Sequence, residues 1–181
     1  TSPLRGPSMR AAALLALALV ACGQAPQPPV GALPAGGWQE FEGTWSGAGT
    51  RRTLALGDGR QASLLDLRGT LLLSGPGKPG VGFRGESLVL ADSATGLVGR
   101  SVWTDERGDR VFSELQGEGT AARNRIVGTF LGGTGRYAGV SGGYEFSWQY
   151  VVESEDGSVQ GRASGLKGRF RIDPAARGAA K

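Results

Sequence analysis

Residues 128–146 read GTFLGGTGRYAGVSGGYEF, in which two apolar runs lie on either side of a glycine-rich turn. Along both runs the residues of one face alternate with those of the other. In the first run, Ile126, Gly128 and Phe130 alternate with Val127, Thr129 and Leu131. In the second run, Tyr144, Phe146, Trp148 and Tyr150 alternate with Glu145, Ser147 and Gln149. A period of two is typical of β-strands, because successive side chains point to opposite faces. Gly132, Gly133 and Gly135 supply the backbone freedom that a sharp reversal needs. The stretch therefore predicts a β-hairpin.

The same period recurs through the chain and predicts an all-β fold. Eight strands are expected, at residues 41–49, 62–73, 81–91, 97–104, 110–119, 125–131, 142–152 and 158–172. No segment in this region has helical spacing of apolar residues, and the connections are rich in Gly, Pro and Asp, as tight turns are. Short connections favour antiparallel neighbours, and a meander of eight strands removes its exposed edges by closing. We expect an eight-stranded antiparallel up-and-down barrel with space for side chains or one small ligand; a two-sheet sandwich is the alternative.

The N-terminal residues have the pattern of a secretory leader. Met9 and Arg10 precede ten apolar residues at positions 11–20, a run too short to span a bilayer and of the length found in signal peptides. The following Leu19-Val20-Ala21-Cys22 resembles a bacterial lipobox, which implies that Cys22 is lipidated and becomes the first residue of the mature chain. We expect a signal-peptide helix within residues 1–22, with residues 1–8 before the natural start. An ordinary secretory signal with an incidental cysteine is the alternative.

Residues 23–37 read GQAPQPPVGALPAGG and carry no charge. This proline- and glycine-rich composition is typical of a partly extended tether. The barrel domain is then expected at residues 38–173, followed by a disordered tail at residues 174–181. Together these features predict a lipid-anchored protein of the bacterial cell envelope, at the outer membrane or in the periplasm.

The basic composition of the chain does not come from the expected barrel. All 16 acidic residues lie within residues 38–173, whereas Arg5, Arg10, Arg177 and Lys181 lie outside it, out of 20 basic residues in total. The expected domain is therefore formally neutral. It also lacks a run of basic residues, so its charge pattern gives no support for nucleic-acid binding.

The residue types present exclude several kinds of catalytic site. The chain has no histidine, and Cys22 is its only cysteine. Triads built on histidine, and zinc sites built on histidine and cysteine, are therefore not expected, nor is a disulfide in the barrel. No metal or other cofactor is predicted. Any acid–base chemistry would fall to carboxylates, tyrosines or arginines.

The turn at Gly132-Gly133-Thr134-Gly135-Arg136-Tyr137, followed by Gly142, resembles the G-G-T-G-[KR]-[FY] turn of the allene oxide cyclase and dirigent families. The approach at residues 126–130 is also similar, and the segment from Trp103 to Phe112 resembles a hairpin of uncharacterised bacterial relatives. The resemblance covers about 20 residues. It implies an eight-stranded antiparallel barrel. It also implies a trimer, since the plant members of these families assemble as trimers.

The resemblance does not extend to the known activities of these families. Dirigent proteins have an arginine immediately before the glycine that follows the turn, and this chain has Ser141 before Gly142. No position of the chain matches the catalytic acid of the cyclases. Because one fold can carry many functions, the resemblance implies architecture and leaves activity open.

Candidate site residues follow from the side chains that could face the barrel interior. If Phe112 points inward, Glu114 on the same strand face is a buried carboxyl group with a raised pKa, and hence a candidate catalytic acid. The alternative places Val111, Ser113 and Leu115 inside and leaves Glu114 in solvent. The candidate ligand-binding residues are aromatic: Trp103, Phe112, Tyr144, Phe146 and Trp148. Such a row of aromatic residues can also be plain core or a subunit interface.

Two functions are compatible with these patterns. The first is a non-catalytic, membrane-anchored lipoprotein whose barrel binds a small apolar ligand or a partner protein. The second is a cyclase or isomerase that holds a reactive substrate in the barrel and uses Glu114 or a tyrosine for proton transfer. A homo-oligomer, trimeric by family resemblance, is compatible with both.

Overall fold

The computed structural model describes residues 36–118, 125–173 and 175, which form an all-β structure. Within these ranges the strands are β1 (Gln39–Gly57), β2 (Arg60–Ser74), β3 (Gly82–Asp92), β4 (Gly96–Thr104), β5 (Arg110–Gly117), β6 (Arg125–Gly133), β7 (Val140–Glu153) and β8 (Ser158–Ile172). A short 3-10 helix, Gly135–Tyr137, lies between β6 and β7. The predicted all-β fold is confirmed, and the largest difference in bounds is at β1, which extends to Gly57.

The predicted leader, Cys22 and nearly all of the tether lie outside the described residues, as does the predicted tail apart from Ala175. In the part of the chain that the structure describes, no helix has the length and apolar character needed to cross a membrane.

The sheet closes on itself. Each strand pairs antiparallel with the next along the chain, and β8 pairs antiparallel with β1, where Trp45 lies opposite Ala163. The up-and-down barrel that the sequence predicts is therefore confirmed. Pairing of β1 with β8 excludes the two-sheet sandwich, because a sandwich would leave two separate sheets with free edges.

Side chains alternate between the interior and the outer surface, as the period of two requires. On β2, for example, Leu65, Leu67 and Leu71 are each at most 5% exposed, whereas Leu64 and Leu72 are more than half exposed. A β-bulge on β8 interrupts this alternation between Ala163 and Leu166, so both of these side chains face inward. Gly165, in the bulge, adopts a positive φ of 64°.

The two ends of the barrel differ. Because successive strands run in opposite directions and their number is even, the chain enters β1 and leaves β8 at the same end, which we call the closed end. The β2–β3, β4–β5 and β6–β7 connections also lie there. The β1–β2, β3–β4 and β7–β8 turns lie at the other end, which we call the open end.

The closed end is filled by aromatic side chains. Those buried there are Phe41, Phe83, Trp103, Phe130, Tyr137 and Phe170. The Trp103 ring meets the Phe41 ring edge-on at a centroid distance of 6.2 Å and the Phe130 ring edge-on at 5.5 Å. Edge-to-face pairs of this kind contribute about 1 kcal/mol each beyond the burial of their area. This half of the barrel is a packed core.

A buried carboxylate ties two connections together at the closed end. The Asp105 side chain, in the β4–β5 connection, accepts a hydrogen bond from the Tyr137 hydroxyl at 3.1 Å and forms an ion pair with Arg136 at 2.7 Å. Its other oxygen accepts the backbone N–H groups of Arg107 and Asp109 at 2.8 and 2.9 Å. The glycine-rich turn found in the sequence is thereby fixed against the neighbouring hairpin.

These contacts set the protonation state of Asp105. Burial alone would raise the pKa of its carboxyl group, but the hydrogen bonds from the Arg107 N–H, the Tyr137 hydroxyl and the Asp109 N–H, together with the Arg136 charge, outweigh it and lower the pKa. A carboxylate whose pKa is lower in the folded than in the unfolded state stabilises the fold above its unfolded pKa. That stabilisation is lost as the pH falls through the folded value.

We expect Asp105→Asn to lower the free energy of unfolding by about 2 kcal/mol at pH 7, because it removes the buried carboxylate charge 2.7 Å from the mostly buried Arg136 guanidinium, which keeps a longer contact of 3.4 Å with the exposed Glu106. The difference in unfolding free energy between wild type and variant should shrink as the pH falls from 3.8, the ordinary aspartate pKa, through the lower pKa of folded Asp105, because the wild-type side chain then also becomes protonated. Urea unfolding at several pH values measures both effects. Asp66→Asn is the control, since Asp66 is exposed and 3.7 Å from Arg68, and it should cost no more than about 0.5 kcal/mol. A deficit that does not depend on pH would contradict the role given to the Asp105 charge.

Candidate ligand-binding cavity

The open half of the barrel contains a cavity of about 270 Å³. Its walls are mainly apolar side chains that β2 to β6 direct inward: Leu65, Leu67, Val89, Ala91, Leu97, Leu115 and Ile126. In the closed half, the interior of the barrel is filled by the buried aromatic rings described above. The barrel is thus solid at one end and hollow at the other.

One side of the cavity is an aromatic wall, formed by Trp45 on β1 and by Phe146, Trp148 and Tyr150 on β7. The two indole rings are 5.0 Å apart between centroids, and Trp45 meets Phe146 edge-on at 6.3 Å. Trp148 in turn meets Tyr150 edge-on at 6.1 Å. The β7 residues alternate along the strand, so the period of two brings all three rings to the interior.

Glycines on neighbouring strands make space for the two indoles. A β-carbon at Gly161 of β8 would overlap with the six-membered ring of Trp148, and one at Gly85 of β3 would lie 3.0 Å from Nε1 of Trp45. Any larger residue at these positions would push the indoles toward the lumen. The size of the cavity therefore depends on glycine at positions 85 and 161, because a side chain at either position would displace an indole.

Three buried polar atoms of the lining side chains have no hydrogen-bond partner among the described residues. They are the indole Nε1 atoms of Trp45 and Trp148 and the hydroxyl oxygen of Ser87. Leaving a buried donor or acceptor unpaired costs about 1–3 kcal/mol. Each such group in a native protein calls for an explanation, and all three here belong to one cavity.

The rim of the cavity at the open end is polar on the side of β1, β2 and β7. Arg51 forms an ion pair with Glu153 at 2.6 Å, and its guanidinium lies 5.2 Å from the centre of the Tyr150 ring. The Thr53 and Ser63 hydroxyl oxygens are 2.8 Å apart and share a hydrogen bond. The rim therefore carries a charged group that is already paired.

Few groups of the cavity can ionise. Among the described residues that line it, only Arg51 and Tyr150 are titratable. Burial raises the pKa of the Tyr150 hydroxyl, and Glu153 adds to this effect while the hydrogen bond and charge of Arg51 oppose it. Across the described ranges, no cluster of three or more histidine, cysteine or acidic residues has the geometry to hold a metal ion.

The structure separates the predicted ligand-binding residues into three groups. Phe146 and Trp148 line the cavity. Trp103 and Tyr144 are inside the barrel but belong to its packed part, with their ring centroids 4.6 Å apart. Phe112 is on the outer surface and is described below.

Tyr144 is a buried tyrosine in the packed part of the barrel. Its hydroxyl oxygen lies 2.9 Å from that of Ser113. Burial raises the pKa of Tyr144 to about 12, although hydrogen bonds with Ser113, Ser101 and Trp103 oppose the shift. The hydroxyl is therefore protonated at neutral pH. Tyr144 is not among the residues that line the cavity.

The expectation that Phe112 faces inward and buries Glu114 is wrong. Val111, Ser113 and Leu115 are the inward residues of β5, each at most 3% exposed, so the alternative interpretation of this strand is the correct one. Glu114 is partly exposed on the outer surface, with its carboxylate 3.8 Å from the Arg100 guanidinium. The physical reason lies across the barrel, where Tyr144 leaves space for the small Ser113 and gives it a hydrogen-bond partner.

The lining residues that were not predicted from the sequence include Trp45, Arg51 and Ser87. Trp45 is four residues from Phe41 on β1, so the period of two places both on the inward face. Ser87 lies on the same face of β3 as Phe83, Val89 and Ala91. A polar residue within this apolar row indicates a polar group inside the barrel. Arg51 gave no signal, because strand-end arginines are usually solvated.

Comparison of the chain with protein-family models, with curated proteins and with solved structures finds no match.

We expect Gly161→Ala to lower the free energy of unfolding by about 2 kcal/mol, because the added methyl group overlaps with the Trp148 ring and with the Gln149 carbonyl oxygen. Displacement of Trp148 should also change the tryptophan fluorescence of the folded protein. Gly82→Ala is the matched control, since a β-carbon at this β3 residue would meet only the Leu72 side chain, at 3.7 Å. Equal stability of the two variants would contradict the close packing of Trp148 on β8.

Proposed function

We propose that the barrel binds a small, largely apolar molecule in the cavity at its open end. The observation that carries this proposal is an apolar space of about 270 Å³ with a polar rim, in a barrel whose other half is solid. Ligand sites are typically concave and mainly apolar, with a few polar groups that fix orientation. A fold selected for stability alone would be expected to fill such a space, because each unfilled volume loses packing energy.

Binding is better supported than catalysis. A cyclase or isomerase would need a group in the cavity that donates or accepts a proton near neutral pH. The predicted acid, Glu114, lies on the outer surface, and Tyr144 is outside the lining. Burial raises the pKa of the Tyr150 hydroxyl, which therefore keeps its proton at neutral pH, so the described part of the cavity favours a ligand carrier over an enzyme of this type.

We further propose that the barrel is held at a bacterial envelope membrane by lipid on Cys22, with residues 23–37 as a tether. The lipobox-like sequence supports this proposal. So does the position of β1, whose first residue, Gln39, lies at the closed end of the barrel, opposite the cavity mouth.

Self-association, or docking of a partner protein, is supported by a row of exposed apolar side chains on the outer wall. Leu64, Leu90 and Val98 are directly opposite one another on β2, β3 and β4, and each is about half exposed. Contiguous apolar patches often mark interfaces. The trimer implied by family resemblance would need such a surface.

We expect Ala91→Phe to abolish binding of a small apolar probe, because the Ala91 side chain faces the cavity and a phenyl group there would occupy it. With tetralin at ten times its dissociation constant, wild-type protein should gain about 1.4 kcal/mol of stability, measured by thermal unfolding. The variant should gain none. The matched control is Leu90→Phe, since Leu90 is the outward-facing neighbour and 49% exposed. If tetralin stabilises neither wild type nor control, the proposed function fails.

We expect Cys22→Ala to move the protein from the membrane fraction to the soluble fraction of the producing bacterium, because the variant lacks the only thiol that can be lipidated. Fractionation followed by immunoblotting measures this. Gln27→Ala, within the tether, is the control and should stay with the membranes. Retention of the Cys22→Ala protein in the washed membrane pellet would count against the lipid anchor.

A further inference from the structure

We propose that the ligand of the cavity is a neutral ring compound of about ten to twelve non-hydrogen atoms that carries a hydrogen-bond acceptor, such as the carbonyl oxygen of a ketone or ester. This inference rests on the proposed binding function and specifies its ligand class. Four features of the cavity carry it: volume, wall, an unpaired hydroxyl and charge.

The volume sets the number of atoms. A protein cavity of about 150 Å³ accommodates benzene, which has six non-hydrogen atoms. In proportion, the cavity of about 270 Å³ takes roughly eleven. A long acyl chain is too large for this space, because the packed aromatic rings of the closed half prevent the cavity from extending along the barrel axis.

The wall selects a ring. Trp45, Phe146 and Trp148 present rigid aromatic surfaces on one side of the cavity, and branched aliphatic side chains such as Leu65 and Val89 form the opposite side. Offset or edge-on contact between rings is favourable beyond the area that it buries. A flat or nearly flat molecule between these two sides makes more contact than a flexible chain of equal size.

An unpaired hydroxyl favours an acceptor on the ligand. The indole Nε1 atoms of Trp45 and Trp148 are not accessible from the cavity, because the Trp45 atom lies against Gly85 and the Trp148 ring lies against Gly161. The Ser87 side chain lines the cavity, and its hydroxyl has no hydrogen-bond partner among the described residues. Rotation about χ1 turns this hydroxyl toward the ligand, to which it can donate a hydrogen bond.

The charge of the lining selects a neutral ligand. Arg51 is the one cationic side chain among the described lining residues, and Glu153 already pairs with it at 2.6 Å. A carboxylate in the cavity would lose its hydration without gaining an unpaired counter-charge, which is costly. A carbonyl oxygen loses far less and gains a hydrogen bond.

The test compares three probes by titration calorimetry with the purified full chain. 1-Tetralone is a neutral ring with a carbonyl group, tetralin is the same ring system without it, and 3-phenylpropanoate has as many non-hydrogen atoms as tetralone but carries a negative charge. We expect both neutral probes to bind and 3-phenylpropanoate to bind at least tenfold more weakly than tetralone.

Ser87→Ala then isolates the hydrogen bond. It should weaken tetralone binding by roughly five- to tenfold, the value of one ordinary hydrogen bond, and leave tetralin binding within about twofold. Trp148→Phe, which keeps an aromatic ring and removes an indole N–H that is not accessible from the cavity, is the second variant and should leave the ratio of the two dissociation constants unchanged. Ser113→Ala is the matched control, because Ser113 is an equally buried, inward-facing serine outside the cavity lining.

The outcomes separate the inference from the function on which it rests. If no probe binds the unchanged protein, the proposed binding function itself is overturned. If both neutral probes bind but Ser87→Ala does not change the ratio of their dissociation constants, binding stands and the acceptor is overturned. If 3-phenylpropanoate binds most tightly, the neutrality of the ligand is overturned.

Discussion

The structure depends on the fit of large inward-facing rings beside inward-facing glycines. The lumen of an eight-stranded barrel is only just wide enough for side chains. A large ring on one strand therefore fits only where the residue that it contacts on another strand is small. Tyr144 occupies the space beside Gly128, Phe41 that beside Gly168, and Trp148 lies over Gly161. This pairing gives a physical reason for many of the 33 glycines of a chain that is neither collagen-like nor of low complexity.

The same constraint has opposite results in the two halves of the barrel. At the closed end, rings from several strands interlock, and the Asp105 carboxylate fixes the connections around them. At the open end, the indoles of Trp45 and Trp148 pack against Gly85 and Gly161, and the lumen beside them contains the cavity. Unpaired polar atoms are concentrated in that half. Proteins commonly depart from ideal packing where they function, and the stability lost there is made up by the packed half.

The sequence was sufficient for the fold because the signals for it are local. Alternation along each strand and the chemistry of each turn are read within about ten residues, and sequential antiparallel pairing follows from short connections. The candidate site was predicted only in part. Phe146 and Trp148 were predicted because they lie on the same face of one strand. The position of Glu114 depends on which face of β5 points inward. That face includes Ser113, which forms a hydrogen bond with Tyr144, 31 positions away in the sequence. The cavity itself is what remains after side chains from seven strands are packed, so no local pattern indicates it.

The even number of strands has a practical consequence. The chain enters β1 and leaves β8 at the solid end, so Gln39 and Ile172 both lie opposite the opening through which a small molecule exchanges. A fluorescent reporter, an affinity handle or a solid support joined directly to either of these strand ends therefore starts at the end of the barrel away from that opening. The architecture is suited to display on a surface, with a receptacle that stays accessible from the surrounding medium.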